Sequence, residues 1–409
     1  MTDDRRPTTG FPRMYNEPGE RRAFLPPLMG LLTNMDVDVY VEAGSGAGMG
    51  ISDDDYLAVS PRVHIVDEAA AYRQDIVLVL RAPEGRYELL RPGAILLSML
   101  HFTTRPERVE MLHGLGIEAI ALDMVTGDDG RRLVQNLRDV ARNGLAAAFD
   151  ALERRWPPLL SPMRPPISVT ILGAGGVGKH AIEWAAKGGD EARNERFLGE
   201  GLAGVEVVVV EQNLSGNEAY FRRRLAQTDI LVDATARRDT SRPLFPNAWL
   251  GMLPAHAIVC DLAVDPYLLD DDPPVVRGIE GIPQGNLDQW EFGPDDPAWD
   301  RLPPGIPTGN RRTVVSCYSW PGVQPEACME VYGSQVTPLL KTLIWNGGLP
   351  AMGPSVSFHG RALWRASLRH WLEDSTPACP RRSPRSRRSL RRCAPVPRPG
   401  LRTRLPAAA

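Results

Sequence analysis

The sequence predicts an α/β protein of two lobes, each built on a parallel sheet, with a cleft between the lobes. Continuous apolar runs alternate with polar, helix-like segments, which is typical of strands buried on both faces of a parallel sheet. The alternation occurs twice in the 409 residues, and a predicted helix over 131–156 followed by a proline-rich stretch separates the two series. Each series is therefore expected to form a Rossmann-like lobe.

The first series supplies four predicted strands and two predicted helices. The helix over 52–59 begins at Ser52, whose hydroxyl can cap a helix N-terminus, and three aspartates follow it. The second predicted helix spans 105–116. The strands are predicted over 37–44, 75–83, 94–102 and 117–125.

The second series begins at 169–189, where an apolar run leads through a glycine-rich turn into a helix. A long segment, 266–312, has little periodicity, and its 47 residues far exceed the usual connection of roughly 4–6. We expect this segment to be functional, mobile or partly structured, and a helix is predicted over 328–348. Further strands are predicted over 205–213, 228–236, 257–265 and 314–323.

The composition is that of an ordinary soluble protein, with 24% charged and 43% hydrophobic residues. No stretch approaches the roughly 18 apolar residues of a membrane span, and the N-terminus lacks the apolar core of a secretion signal. The five cysteines form no CxxC pair, which excludes a zinc ribbon. A cytoplasmic protein without a metal site is expected.

The charge is unevenly distributed along the chain. Residues 375–409 contain ten Arg and no Asp, Glu or Lys, so the net charge of −3 leaves −13 for residues 1–374. Rich in Arg, Pro and Ser, this tail is predicted to be disordered. One interpretation is an arm that binds nucleic acid or another anionic surface. The other is a solvated tail without such a function, or the product of an altered reading frame. The acidic body makes nucleic-acid binding by the whole chain an unlikely function.

A dinucleotide fingerprint follows the first strand of the second series. The motif GxGxxG is matched by the run Gly173, Ala174, Gly175, Gly176, Val177 and Gly178, between an apolar run and a helical segment. Glu211 ends the next predicted strand, where its carboxylate can bond a ribose hydroxyl and repel a 2′-phosphate. The pattern predicts NAD rather than NADP. The alternative is a glycine-rich turn that binds something else.

Several polar residues end predicted strands, where ligands of parallel sheets bind. His101 could exchange a proton at neutral pH, although a structural histidine is the alternative. Arg81 could hold a carboxylate in bidentate fashion, and Arg22, which lies in the segment GERRAFLPP rather than at a strand end, is a second such candidate; either could instead be a surface charge. Asp261 and Asp265 could balance an iminium group, or cap a helix.

Six segments occur in order between about Glu17 and Gly348: GERRAFLPP, DIVLVLRAP, MLHFT, the nucleotide loop ILGAGGVGKHA, VCDLAVDPY and CYSWPGVQP. Together they resemble the alanine dehydrogenase / pyridine nucleotide transhydrogenase superfamily, which includes lysine-forming saccharopine dehydrogenases. GERRAFLPP resembles ERRVALTP, MLHFT resembles YLHLA, and VCDLAVDPY resembles VDVAIDQGG. The resemblance implies that Arg22 binds the substrate carboxylate, that His101 is an acid–base group and that Asp265 is functional.

The chain departs from the family pattern at several positions. The active-site Lys of the family is Arg81 here; an arginine can hold a carboxylate but cannot act as a proton shuttle. The DQGG turn is replaced by Pro266, Tyr267 and the long segment, and an expected Ser is Arg138. The stretch GDDGRR (127–132) resembles the saccharopine branch more than the alanine branch.

The resemblance implies a discontinuous substrate domain (1–145 and 322–374), an NAD-binding domain (146–321) and a homo-oligomer. The expected function is reversible oxidative deamination of a small L-amino acid to its 2-oxo acid, as in alanine dehydrogenase, with the segment 266–312 as a lid. A saccharopine- or opine-type dehydrogenase, and an NAD-binding protein without catalysis, remain alternatives.

Overall fold

The computed structural model describes residues 6–15, 17–211, 217–237, 239–271, 273–349, 353 and 357–375. The predicted tail, 375–409, lies outside them except for its first residue. The described chain forms two six-stranded sheets, in agreement with the predicted two-lobed α/β fold. Among the described residues, no helix is long and apolar enough to span a membrane.

The first sheet is entirely parallel and has the order β3-β2-β1-β4-β5-β6. Its strands are β1 (Thr8–Phe11), β2 (Asp38–Glu42), β3 (Val63–Val66), β4 (Ile76–Arg81), β5 (Ile95–Met99) and β6 (Glu118–Ala121). Its helices are α1 (Pro26–Thr33), α2 (Asp53–Leu57), α3 (Glu68–Tyr72) and α4 (Pro106–Gly114). Helix α2 begins with the predicted cap, because Ser52 and Asp55 form a capping box.

The apolar runs are buried on both faces of this sheet, as predicted. In β4, Val77 and Val79 pack in one core cluster while Leu78 and Leu80 pack in the other. This alternation follows from the two-residue period of a strand, and it explains why such strands contain no polar face.

The long helix α5 (Leu137–Arg155) links the lobes. It begins six residues later than predicted, because residues Thr126 and Arg132 form an antiparallel bridge and Asn136 caps the helix. From Ala141 to Leu152 its buried side chains pack against the second sheet.

The second sheet has the order β11-β12-β10-β9-β7-β8. Its strands are β7 (Ile167–Leu172), β8 (Val205–Val210), β9 (Ile230–Asp233), β10 (Ile258–Asp261), β11 (Glu291–Phe292) and β12 (Thr313–Ser316). Its helices are α6 (Gly176–Ala186), α7 (Glu191–Gly199), α8 (Glu218–Leu225) and α9 (Asn247–Leu250). All neighbours are parallel except β11, which lies antiparallel to β12 at the edge. This short strand comes from the segment 266–312, which is thus partly structured.

The chain then returns to the first lobe through α10 (Pro325–Trp345), α11 (Phe358–Arg365) and α12 (Leu368–Ser375). Buried residues of α10 from Cys328 to Leu343 belong to the same core cluster as Leu78 and Leu97 of the first sheet. The first lobe is therefore discontinuous in sequence, as expected.

Candidate active site

The glycine-rich loop connects β7 to α6 and leaves the N-terminus of that helix open. Gly173 has a φ of +87°, and a Cβ on Gly178 would lie 2.1 Å from the carbonyl oxygen of Gly173. Gly175 is the N-cap of α6, and no side-chain hydrogen bond caps the helix there. A Cβ on Gly175 would meet nothing within 4 Å. The first amides of α6 therefore have no side-chain cap, and there is open space beside Gly175, which suits a phosphate.

Glu211 follows β8 and lies beside this loop. Its side chain is exposed, and its Oε1 accepts a hydrogen bond from the amide of Ala174 at 2.7 Å. The predicted loop and the predicted acidic residue are thus brought together. The open space beside Gly175 and this carboxylate at the strand end fit a dinucleotide whose ribose lacks a 2′-phosphate.

Arg22 forms a buried ion pair with the carboxylate of Glu20. Its Nε donates to Oε1 of Glu20 at 2.8 Å, its Nη2 to Oε2 at 2.5 Å, and the two side chains are only 2% and 3% exposed. Burial opposes the ionisation of both groups, but the hydrogen bonds between them prevail, so the pKa of Glu20 is lowered and that of Arg22 is raised. A substrate carboxylate would have to displace Glu20 to reach Arg22.

Arg81 ends β4 and remains partly accessible, with its side chain 31% exposed. Its Nη2 forms an ion pair with Oε1 of Glu17, and its Cζ lies 6.0 Å from the ring centroid of Tyr318. The Tyr318 hydroxyl donates to the carbonyl of Pro18 at 3.2 Å. Because Tyr318 follows β12 of the second sheet, this cluster lies between the lobes.

His101 lies two residues beyond the end of β5. Strand β5 is the neighbour of β4, which ends in Arg81. Its Nδ1 is 3.4 Å from Oδ2 of Asp123, and its side chain is 50% exposed. The amides of Leu100 and His101 donate to Oδ1 of the same carboxylate at 2.9 and 3.1 Å. Burial would raise the pKa of Asp123, but its hydrogen bond and charge interaction with His101 outweigh this and lower it. The carboxylate therefore orients a half-exposed imidazole at the edge of the sheet.

Asp265 lies beyond β10 in the second lobe. Its Oδ2 accepts from Nη2 of Arg237 at 2.7 Å, and its side chain is 30% exposed. The preceding residue, Val264, has a φ of +52°, which is strained for a β-branched side chain. Such strain is typical of functional sites, and His101 shares it with a φ of +50°.

Two buried aspartates end neighbouring strands of the second sheet, Asp233 on β9 and Asp261 on β10. Asp261 is paired with Arg277, whose Nη1 lies 2.8 Å from Oδ2, and the two side chains are 4% and 1% exposed. Burial, together with the charge of Asp261, raises the pKa of Asp233 to about 6. Arg277 belongs to the segment 266–312 and holds it against the sheet edge.

The residues predicted to act on the substrate therefore form three groups. Arg22 and Arg81 lie near Glu20, since both lower its pKa by their charge. His101 lies at the next strand end, and Asp265 pairs within the second lobe. No cluster of three or more His, Cys, Asp or Glu side chains that could hold a metal occurs in the described part of the chain.

The sequence alone did not point to five residues of these clusters, namely Asp123, Glu17, Glu20, Tyr318 and Arg277. Asp123 lies within the predicted strand 117–125, whereas β6 ends at Ala121, so the sequence did not place Asp123 at a strand end beside His101. Glu17 and Glu20 precede Arg22 by five and two residues, but nothing in the sequence indicated that they would neutralise the two arginines. Arg277 lies in a segment without periodicity, so no pattern pointed to it.

Residues 12–142 match the family model described as the N-terminal domain of alanine dehydrogenase/PNT. The alanine dehydrogenase of Bacillus subtilis is 24% identical over 266 residues, which cover 63% of this chain and 70% of the relative. A solved L-alanine dehydrogenase superposes with a TM-score of 0.66 and 20% identity, covering 90% of this chain and 99% of that one. A transhydrogenase from Sinorhizobium meliloti superposes with a TM-score of 0.58 and 19% identity over 82% and 94% of the two chains. The structural similarities concern the fold.

Proposed function

Because the chain belongs to the alanine dehydrogenase / pyridine nucleotide transhydrogenase superfamily, we propose that it is an NAD-dependent oxidoreductase acting on CH–NH2 donors. The finer proposal is reversible oxidative deamination of a small L-amino acid to its 2-oxo acid. The lobe formed by 1–145 and 322–374 binds the substrate, and 146–321 binds NAD. The observation that carries the proposal is the half-exposed imidazole of His101, oriented by Asp123 at the sheet edge.

The second lobe holds the cofactor through the loop Gly173–Gly178 and Glu211. The N-terminal amides of α6 would hold the pyrophosphate, and the Glu211 carboxylate would accept a hydrogen bond from a ribose hydroxyl. Glu211 would release the Ala174 amide, with which it is paired in this structure, when it binds the ribose. When bound, NAD supplies the hydride acceptor of the oxidation and the hydride donor of its reverse.

The first lobe holds the substrate and moves the proton. Arg81 binds the substrate carboxylate, and Arg22 supports this role through the charge network with Glu20. His101 takes the proton from the substrate amine or from water, and Asp123 stabilises the imidazolium that forms. Arg81 cannot perform the proton transfer, since an arginine stays protonated. Asp265 stabilises the iminium-like intermediate from the other lobe.

The test is the loss of NADH absorbance with a panel of 2-oxo acids, each with ammonia and separately with lysine or ornithine. Turnover with pyruvate and ammonia is expected. His101→Asn should lower kcat by about 10²–10⁴-fold, the usual contribution of a general acid–base group. His256→Asn is the matched control, because His256 pairs with Asp229. Asp229 immediately precedes β9, so this pair lies at the amino end of that strand, opposite the strand ends that carry the site. Equal rates for wild type and His101→Asn would contradict the proposed role.

One observation favours a second candidate, an NAD-binding protein without turnover. Arg81 stands where the family has Lys, and Glu17 already neutralises it. This candidate predicts NADH binding, measured by fluorescence, with no turnover on any pair of the panel. Activity gained by Arg81→Lys would then identify the arginine as the cause.

A further inference from the structure

The ion pair of Arg81 and Glu17 has unused bonding capacity on both sides. Oε1 of Glu17 accepts from Arg81, whereas Oε2 is buried and has no hydrogen-bond partner among the described residues. A guanidinium has five N–H donors, and one of those of Arg81 is engaged by Glu17. Since a buried carboxylate oxygen without a donor is costly, the pair is suited to a ligand that supplies one.

The neighbouring pair of Arg22 and Glu20 differs, because both oxygens of its carboxylate accept hydrogen bonds. Glu20 bonds both Nε and Nη2 of Arg22, and its Oε1 also accepts from the amides of Arg21 and Arg22. Both side chains are almost fully buried, so this pair is closed to a ligand. The pair formed by Glu17 and Arg81 is the more exposed of the two, with side chains 18% and 31% exposed.

Glu17 is also held in position from the second lobe. Residues 17–21, here called the interlobe segment, contact that lobe at two points: Tyr318 donates to Pro18, and Arg21 Nη2 lies 3.6 Å from Oδ1 of Asp288. Gly19 has a φ of +74°, and a Cβ there would lie 2.6 Å from Asp288 Oδ1. The carboxylate is therefore preorganised between the lobes, which reduces the entropy lost on binding a ligand.

We propose that Glu17 and Arg81 together form a site for a zwitterionic 2-amino acid, in which Glu17 Oε2 accepts from the ammonium and Arg81 donates to the carboxylate. Each charge of the ligand then meets its opposite. A 2-oxo acid has a carboxylate and no ammonium, so the negative charge of Glu17 disfavours it. Glu17 is thus the residue that makes the protein prefer the amino acid to the 2-oxo acid. This inference rests on the proposed function for its substrate class.

The test measures binding rather than turnover, with the full chain and saturating NADH. Calorimetry gives the Kd of L-alanine and of pyruvate for wild type, Glu17→Gln, Glu17→Asp and Asp288→Asn. Glu17→Gln should weaken L-alanine by about 10- to 100-fold, the range for a hydrogen bond to a charged group, and should leave pyruvate equal or tighter. Asp288→Asn is the matched control: it removes only the charge of an exposed ion pair with Arg21, which contributes little, leaves the Tyr318 hydrogen bond and the pair of Glu17 and Arg81 in place, and should leave both Kd values nearly unchanged.

Glu17→Asp keeps the charge and should retain part of the preference for L-alanine, which keeps the test decisive if Glu17→Gln does not fold. Equal weakening of both ligands by Glu17→Gln, or no change in the Kd of L-alanine, would overturn the inference. So would a wild type that binds NADH but neither L-alanine, L-leucine nor L-lysine. A wild type that prefers L-alanine in binding and yet shows no turnover contradicts the proposed function and leaves this site standing.

Discussion

Replacing Arg277 with methionine is expected to destabilise the second lobe by about 3–5 kcal/mol, the usual effect of removing one partner of a buried ion pair. The guanidinium is 1% exposed. Its Nη1 donates to Oδ2 of Asp261 at 2.8 Å, to the carbonyl of Pro283 at 3.0 Å and to Oγ of Ser316 at 3.2 Å. Methionine fills much of the same volume, so the expected loss comes from charge and hydrogen bonds rather than from a cavity.

The magnitude follows from what the variant leaves behind. The Asp261 carboxylate is 4% exposed and would retain its bonds from the Val264 amide and the Ser316 hydroxyl, but no cation. An uncompensated buried charge accounts for most of the expected loss. The double variant Arg277→Met/Asp261→Asn removes the stranded charge and should recover more than half of it.

Urea unfolding followed by tryptophan fluorescence measures the free energy of unfolding, and hydrogen exchange at β10 and β12 locates the change. Trp320 is a suitable local probe, because its indole donates to the carbonyl of Asp261 at 2.8 Å. Arg311→Met is the matched control, since its partner Asp300 is 69% exposed and such a pair contributes about 1 kcal/mol or less. A loss for Arg277→Met no larger than that of the control, or a double variant no more stable than the single one, would refute this account.

Three further predictions concern Asp233, Gly178 and Asp123. Burial raises the pKa of Asp233 from the ordinary 3.8 to about 6 in the folded protein. The protonated carboxyl therefore contributes fully to stability below about pH 4, and this contribution is lost as the pH rises to about 6. The free energy of unfolding of Asp233→Asn relative to wild type should therefore rise by up to about 3 kcal/mol between pH 4 and pH 7, and a flat difference would contradict this. Gly178→Ala would press its Cβ on the carbonyl of Gly173 and should weaken NADH binding in a fluorescence titration, whereas unchanged affinity would disprove the close packing. Asp123→Asn keeps an acceptor for the backbone but removes the charge beside His101, and steady-state kinetics should show kcat lower by about 10-fold or more with little change in KM.

Strands buried on both faces were the most predictable elements of this fold. The run 75–83, which contains β4, was predictable because nearly every position is apolar. A strand needs apolar residues at successive positions only where both faces of its sheet are covered. Strand β1 (Thr8–Phe11) was missed, although it lies between β2 and β4. Its sequence, TTGF, is too short and too polar to show a period, and it is a strand because its two neighbours supply the hydrogen bonds.

The candidate site was predictable where position in the sheet decides function. His101, Arg81 and the glycine loop all lie at strand ends, and the sequence indicated each of them. Their partners were not predictable, because Glu17 reaches Arg81 across 64 residues of sequence. The roles of these residues, the homo-oligomer, the cytoplasmic location and the lid remain predictions.

Helix α10 completes the core of a lobe that began more than 200 residues earlier in the chain. During synthesis, the first six strands leave the ribosome with Leu78 and Leu97 on a face that α10 will later cover. At about 5–20 residues per second, the roughly 200 residues up to the end of α10 take about 10 to 40 s. The second lobe, continuous in sequence, can fold within that interval. We therefore expect the nascent first lobe to expose apolar surface until α10 emerges, and a pause in translation before Pro325 to prolong its exposure to aggregation.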